Sequence, residues 1–103
     1  MNSAVSLVVA GFLLTLSPSG FAGDAAAGKA KSSVCAGCHG MAGVSANPSW
    51  PNLAGQKDRY LVKQMKAFRD GTRSDPMMSP MAKPLSDADI ENLAAYYSGL
   101  GKK

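Results

Sequence analysis

Both cysteines of this chain and its single histidine fall within one short stretch, Cys35, Cys38 and His39 in "VCAGCHG". A disulfide has no use for an adjacent imidazole. A closed zinc site takes four ligands, and only three soft or imidazole groups exist here. A thioredoxin-like C-x-x-C would sit on a strand-to-helix turn of an α/β fold, and no strand pattern is evident. The spacing C-x-x-C-H is that of covalent attachment of c-type haem, in which two thiols add across the vinyl groups and the imidazole of His39 takes the iron.

The chain has no second histidine, so methionine, lysine or an open position must complete the coordination. Histidine–methionine ligation favours reduced iron and raises the potential, which suits electron transfer. Of the methionines, Met1 lies in the leader described below and Met41 is too close to His39 to reach the opposite face. Met65 belongs to an apolar helical stripe, where methionine is usually core filler. Met77, Met78 and Met81 in "MMSPM" remain. Pro80 biases Ser79 toward an extended backbone. The segment from Met77 to Ser79 is therefore expected to cross the site with successive side chains pointing opposite ways.

The elements that must position these groups read as all-α. Residues 1–22 form an expected secretory leader, with an apolar run from Ala4 to Leu16, a break at "SPSG" and small residues before a cleavage after Ala22. The run is shorter than the roughly 17 to 25 residues that span a bilayer, so stable membrane insertion is not expected. Residues 23–103 form one domain, placed by the leader in the periplasm. The formal charge of +4 comes from scattered basic residues without an aromatic-lined groove, which argues against nucleic acid as a partner.

Three main helices are predicted. The first is capped by Asp24 and runs through Ala30 to Val34 into the cysteine motif. The second runs from about Lys57 to Asp70, with Tyr60, Leu61, Met65 and Phe68 inward, Lys63, Lys66 and Arg69 mostly outward, and Gly71 as its stop. The third opens at Ser86 with Asp89 as a capping-box partner, presents Ile90, Leu93, Ala94 and Tyr97 on one face, and closes at Gly99. Between them lie two long loops, 39–56 and 72–84, and prolines 76, 80 and 84 argue against a continuous helix in the second. Loops of that length in so small a domain need an ordering agent. A buried porphyrin would supply both that and the missing core.

The stretches "GDAAAGKAKSSVCAGCHG", "PNLAGQ", "YLVKQMKAFRDGTR", "MMSPMAKPLSDADI" and "LAAYYSGL" together resemble the class I cytochromes c. The likeness is to the small bacterial periplasmic single-haem members and to one half of the tandem di-haem members. It implies the cytochrome c fold, with the helices and two long loops wrapped around one haem c bound through Cys35 and Cys38. It further implies His39 and Met78 as axial ligands, and the carbonyl of Pro51 as acceptor of the Nδ1 hydrogen of His39. Gly28 and Tyr96 match the glycine–aromatic contact between first and last helices. Trp50, Gln56, Tyr60 and Arg59 lie where relatives approach the haem or its propionates, and Arg59 equally suits a solvated helix face.

The function so implied is electron carriage rather than catalysis. The donor would be a cytochrome bc complex or a dehydrogenase, the acceptor a terminal oxidase or reductase, and the carrier a monomer. The other reading is a small haem subunit or haem domain of a larger redox enzyme complex. A haem enzyme would need an open sixth position and usually a distal acid or base, and the sequence offers no second histidine for it.

Overall fold

A computed structural model describes residues 23–101, and the leader expected over residues 1–22 lies outside them. The chain forms α1 (Ala25–Lys31), α2 (Ser33–His39), α3 (Asp58–Asp70), α4 (Met78–Ala82) and α5 (Asp87–Gly99). Among the described residues there is no strand, so the fold is all-α. No helix of the described residues is long and apolar enough to cross a membrane.

Asp24 caps α1, its carboxylate accepting from the N–H groups of Ala26 and Ala27. The expected first helix is divided at Ser32. The Ser32 hydroxyl donates to the Lys29 carbonyl at 2.7 Å, and the Ser32 N–H is shared between the Gly28 and Lys29 carbonyls. Such local bonding by serine competes with a regular helix, and the turn it makes restarts the chain as α2, which carries the cysteine motif to its end. Gly40 then leaves the helix at φ 87°, a left-handed conformation that a β-carbon disfavours.

The core lies between α3, α4 and α5. It contains Leu61, Val62 and Phe68 from α3, Ala82 from α4, Leu85, and Ile90, Leu93, Ala94 and Tyr97 from α5. The α5 face has the i, i+3, i+4, i+7 spacing of a buried stripe. Its start is a complete capping box, in which the Asp89 N–H donates to the Ser86 hydroxyl and the Ser86 N–H donates to the Asp89 carboxylate, both at 3.0 Å. These bonds, the Ser86 backbone N–H first, hold the Asp89 carboxyl below its ordinary range. The helix includes Gly99, and the left-handed residue that follows is Gly101.

Arg69 is not on the outer face of α3. It turns toward the start of α5, where its guanidinium donates to the Leu85 carbonyl at 3.2 Å and pairs with Asp87 at 2.8 Å and with Asp70 at 2.9 Å. Arg69 stands one turn on from Met65 and two from Val62, at the edge of the buried face of α3, and the Leu85 carbonyl and Asp87 carboxylate it reaches are contributed by residues far along the chain.

α1 contributes no large side chain to this core. It crosses α5 backbone to backbone at Gly28, where an added β-carbon would collide with the Asn92 carbonyl and meet the Tyr96 Cβ at 2.9 Å. The Asp24 N–H donates to Asn92 Oδ1 at 2.8 Å beside the crossing. Gly28→Ala should therefore force the two helices apart and cost about 1–3 kcal/mol, as overpacking does. Gly99→Ala, where nothing lies within 4 Å, should be neutral or slightly stabilising. Denaturant unfolding of the two variants checks both; equal stability would mean that the crossing is not close.

Candidate haem site

The folded chain leaves a cavity of about 700 Å³ beside the core, a size typical of cofactor sites. Three stretches of chain build most of its wall. α2 brings Val34, Cys35, Cys38 and His39; the first loop brings Ser49 to Leu53 and Gln56; the second loop and α4 bring Arg73 and Asp75 to Met78, with Pro80, Met81 and Ala82. α3 and α5 close it with side chains shared with the core, among them Leu61, Met65, Phe68, Leu93 and Tyr97.

His39 is buried, and its Nδ1 lies 2.8 Å from the Pro51 carbonyl oxygen. A carbonyl carries no proton, so Nδ1 is the donor. The neutral ring then keeps its lone pair on Nε2, as a metal-ligating histidine requires. Pro51 is brought there by a loop stitched to itself and to α5. The Gly43 carbonyl accepts from Leu53 N–H at 2.8 Å and Ala54 N–H at 3.0 Å, Asn52 Oδ1 accepts from Ser45 N–H at 2.7 Å, and the Tyr97 carbonyl accepts from Gly55 N–H at 2.9 Å.

Cys35 and Cys38 are free thiols, both partly buried on the same wall. Burial pushes the Cys35 thiol up, opposed by a hydrogen bond with Tyr97 and helped by the neighbouring Cys38. Tyr97, only 2% exposed, is pushed up to about 12, first by its own burial and then by Cys35. Both groups are thus neutral in the physiological range. The wall offers two thiols one turn apart, an imidazole with a free lone pair, thioether sulfurs and otherwise mainly apolar surface. That donor set fits an iron porphyrin, with Cys35 and Cys38 placed to hold it covalently and His39 to ligate it.

The segment expected to run extended from Met77 to Ser79 is instead helical. Asp75 caps it: its carboxylate accepts from Met77 N–H and Met78 N–H, both at 2.8 Å, while the Asp75 N–H donates to the Ser79 hydroxyl at 3.0 Å. These N–H groups, Met78 first, hold the Asp75 carboxyl below its ordinary range. Pro80 is tolerated because the N–H groups of a first helical turn have no intrahelical partner to lose. The two side chains no longer alternate as on a strand. Met78 is partly buried and packed against the core, whereas Met77 is 55% exposed and Met81 42%. Met65 also reaches the cavity wall, and Met41 stands away from it at 85% exposure.

Trp50, Gln56 and Tyr60 line the cavity and Arg59 does not. Arg59 is held instead by the Glu91 carboxylate on α5, with Asp58 nearby. Among the wall residues that escaped the sequence reading are Gln64, Arg73 and Asp75. For Asp75 a signal existed, since Asp followed by Pro initiates a turn, here the one that leads into α4. For Arg73 none existed, because its place depends on the fold-back after α3.

Asp75→Ala should loosen α4 and cost about 0.5–2 kcal/mol, whereas Asp75→Asn, itself a good cap, should keep most of the stability. Denaturant unfolding distinguishes them, and equal losses would mean that the charge rather than the cap holds α4.

Residues 25–100 match the family model described as Cytochrome c. Cytochrome c4 of Pseudomonas aeruginosa is 49% identical over 89 residues, covering 84% of this chain and 44% of that protein. Cytochrome c-554(548) of Halomonas halodenitrificans is 51% identical over 80 residues, covering 75% of this chain and 96% of that one. The solved structure of reduced recombinant cytochrome c4 from Pseudomonas stutzeri superposes with a TM-score of 0.73 at 44% identity, over 77% of this chain and 46% of that one. The chain thus spans about half the length of its cytochrome c4 relatives and nearly all of the shorter one. With C-x-x-C-H on α2 and a model match from α1 to the end of α5, the chain belongs to the cytochrome c family.

Proposed function

We propose that this chain is a single-haem c-type cytochrome that carries electrons in the periplasm, from a quinol-oxidising complex of the cytochrome bc type or a dehydrogenase to a terminal oxidase or reductase. The observation that carries the reading is the convergence of Cys35, Cys38, His39 and the α4 methionines on one mainly apolar cavity. Haem c, when bound, supplies the one-electron iron couple. The rest is the work of this chain's own residues.

Cys35 and Cys38 hold the group through thioethers. His39 ligates through Nε2, its ring fixed by the Nδ1 bond to Pro51. Met78 would be the methionine that ligates the iron, since it is the α4 methionine packed against the core and its N–H is held by Asp75. Leu61, Phe68 and Leu93 exclude water, which keeps the two oxidation states similar in structure. No group on the wall is placed as a distal acid or base except Asp75, whose carboxylate is occupied by two backbone N–H groups. This supports a carrier rather than an enzyme. The match to half of longer cytochromes favours one other reading, a haem domain working within a larger redox assembly.

The first test is whether denatured protein keeps its haem colour on a gel. It should, and haem released by acidified organic solvent would contradict the attachment. Replacing either cysteine with serine should leave at most one thioether and lower the yield of coloured protein. The second test separates the methionines. Met78→Ala should lose the weak far-red band of methionine-bound ferric haem, lower the potential and admit carbon monoxide, while Met81→Ala should change none of these. The reverse pattern would make Met81 the ligand.

A further inference from the structure

We infer that Arg73 is a fixed charge that sets the reduction potential of this cavity, a role that rests on the haem reading above. Arg73 is the one arginine or lysine side chain on the cavity wall among the described residues. It is held there by three contacts. Its N–H donates to the Ala67 carbonyl at 3.1 Å, which folds the chain back over the last turn of α3 after Gly71. Its guanidinium lies 4.4 Å from the centre of the Phe68 ring, within range of a cation–π contact. Its Nη1 donates to Gln64 Oε1 on the preceding face of α3.

The contrast with the other arginines is informative. Arg59 and Arg69 are both neutralised by carboxylates. Arg73 makes no such ion pair among the described residues; its polar partner is an uncharged amide and its packing partner an aromatic face. A guanidinium so held is positioned by its contacts without being neutralised by an ion pair among the described residues. Phe68 is also a wall residue, so the charge, although exposed at the rim, is stacked on the lining of the cavity.

Electrostatics then gives the sign. One-electron reduction lowers the positive charge at the iron, so a nearby cation favours the reduced form and raises the potential. The other charged wall residue, Asp75, opposes it, its carboxylate lying under the influence of Arg73 and tied to the start of α4. Removing Arg73 would take away the cation and leave Asp75 uncompensated. Both changes push the potential down.

The experiment is a redox titration of the full haem-loaded chain as wild type, Arg73→Gln and Arg73→Lys, at low and high ionic strength. Arg73 is exposed at the rim, so its field is partly screened. Arg73→Gln should lower the equilibrium constant for reduction by about two- to fivefold at low salt, and the difference should shrink as salt is added. Arg73→Lys, which keeps the charge and loses the planar stack, should stay near wild type. If Arg73→Gln fails to retain haem, Arg73→Met, which preserves apolar cover on Phe68, carries the same expectation. A neutral variant with wild-type potential at low salt would overturn the inference, as would a lysine variant shifted as far as the neutral one. Absence of covalent haem from the wild type would overturn the haem reading itself, and this inference with it.

Discussion

The backbone contact between Gly28 and Asn92 determines how the rest of the molecule can be arranged. Because no side chain separates α1 from α5 at that point, the direction of α1 is fixed against the helix that carries most of the core. The turn at Ser32 then aims α2, with Cys35, Cys38 and His39, at a wall shared with Tyr97 and Leu93 of α5. The same helix anchors the first loop through the Tyr97 carbonyl and so holds Pro51 against His39. One close crossing thus locates both the imidazole and the group that sets its tautomer.

The second constraint is size. Among the described residues Ile90, Leu93 and Tyr97 are the large side chains at 2% exposure or less, a small core for a folded domain. The apolar surface that would complete it lines the cavity, so a haem bound there would add to the core as well as supply chemistry. Where apolar packing is scarce the chain uses directed polar contacts: Asp75 on α4, the Ser86–Asp89 box on α5, and Arg69 between the end of α3 and the start of α5. Surface ion pairs such as Lys31–Asp89 add little beside these.

Much of the fold was legible in the sequence because it is encoded locally. The α5 stripe, its capping box, the Asp24 cap and the glycine stop of α3 all follow from residue type and spacing, and the structure has each of them. What escaped was set largely by contacts distant along the chain. Prolines 76, 80 and 84 do prevent a continuous helix through the second loop, but they leave room for the five-residue α4, which the sequence reading did not place. The division at Ser32 is a side-chain bond to the previous turn that leaves no periodic trace. Arg69 and Arg59 belong to α5 through Asp87 and Glu91, which no helical wheel of α3 displays. At the site, the residues around C-x-x-C-H and "MMSPM" were named by type, whereas Gln64 is a polar residue on the Leu61–Phe68 face of α3 and Arg73 becomes a wall residue only through the fold-back after Gly71.

A spectroelectrochemical titration of the purified wild-type protein, run with and without carbon monoxide, tests the account most directly. A carrier with one six-coordinate haem predicts a single reversible one-electron transition whose midpoint does not move when carbon monoxide is present, since both axial positions are already filled. A transition shifted upward by carbon monoxide, or one that requires two unequal one-electron waves, would contradict a single-haem electron carrier.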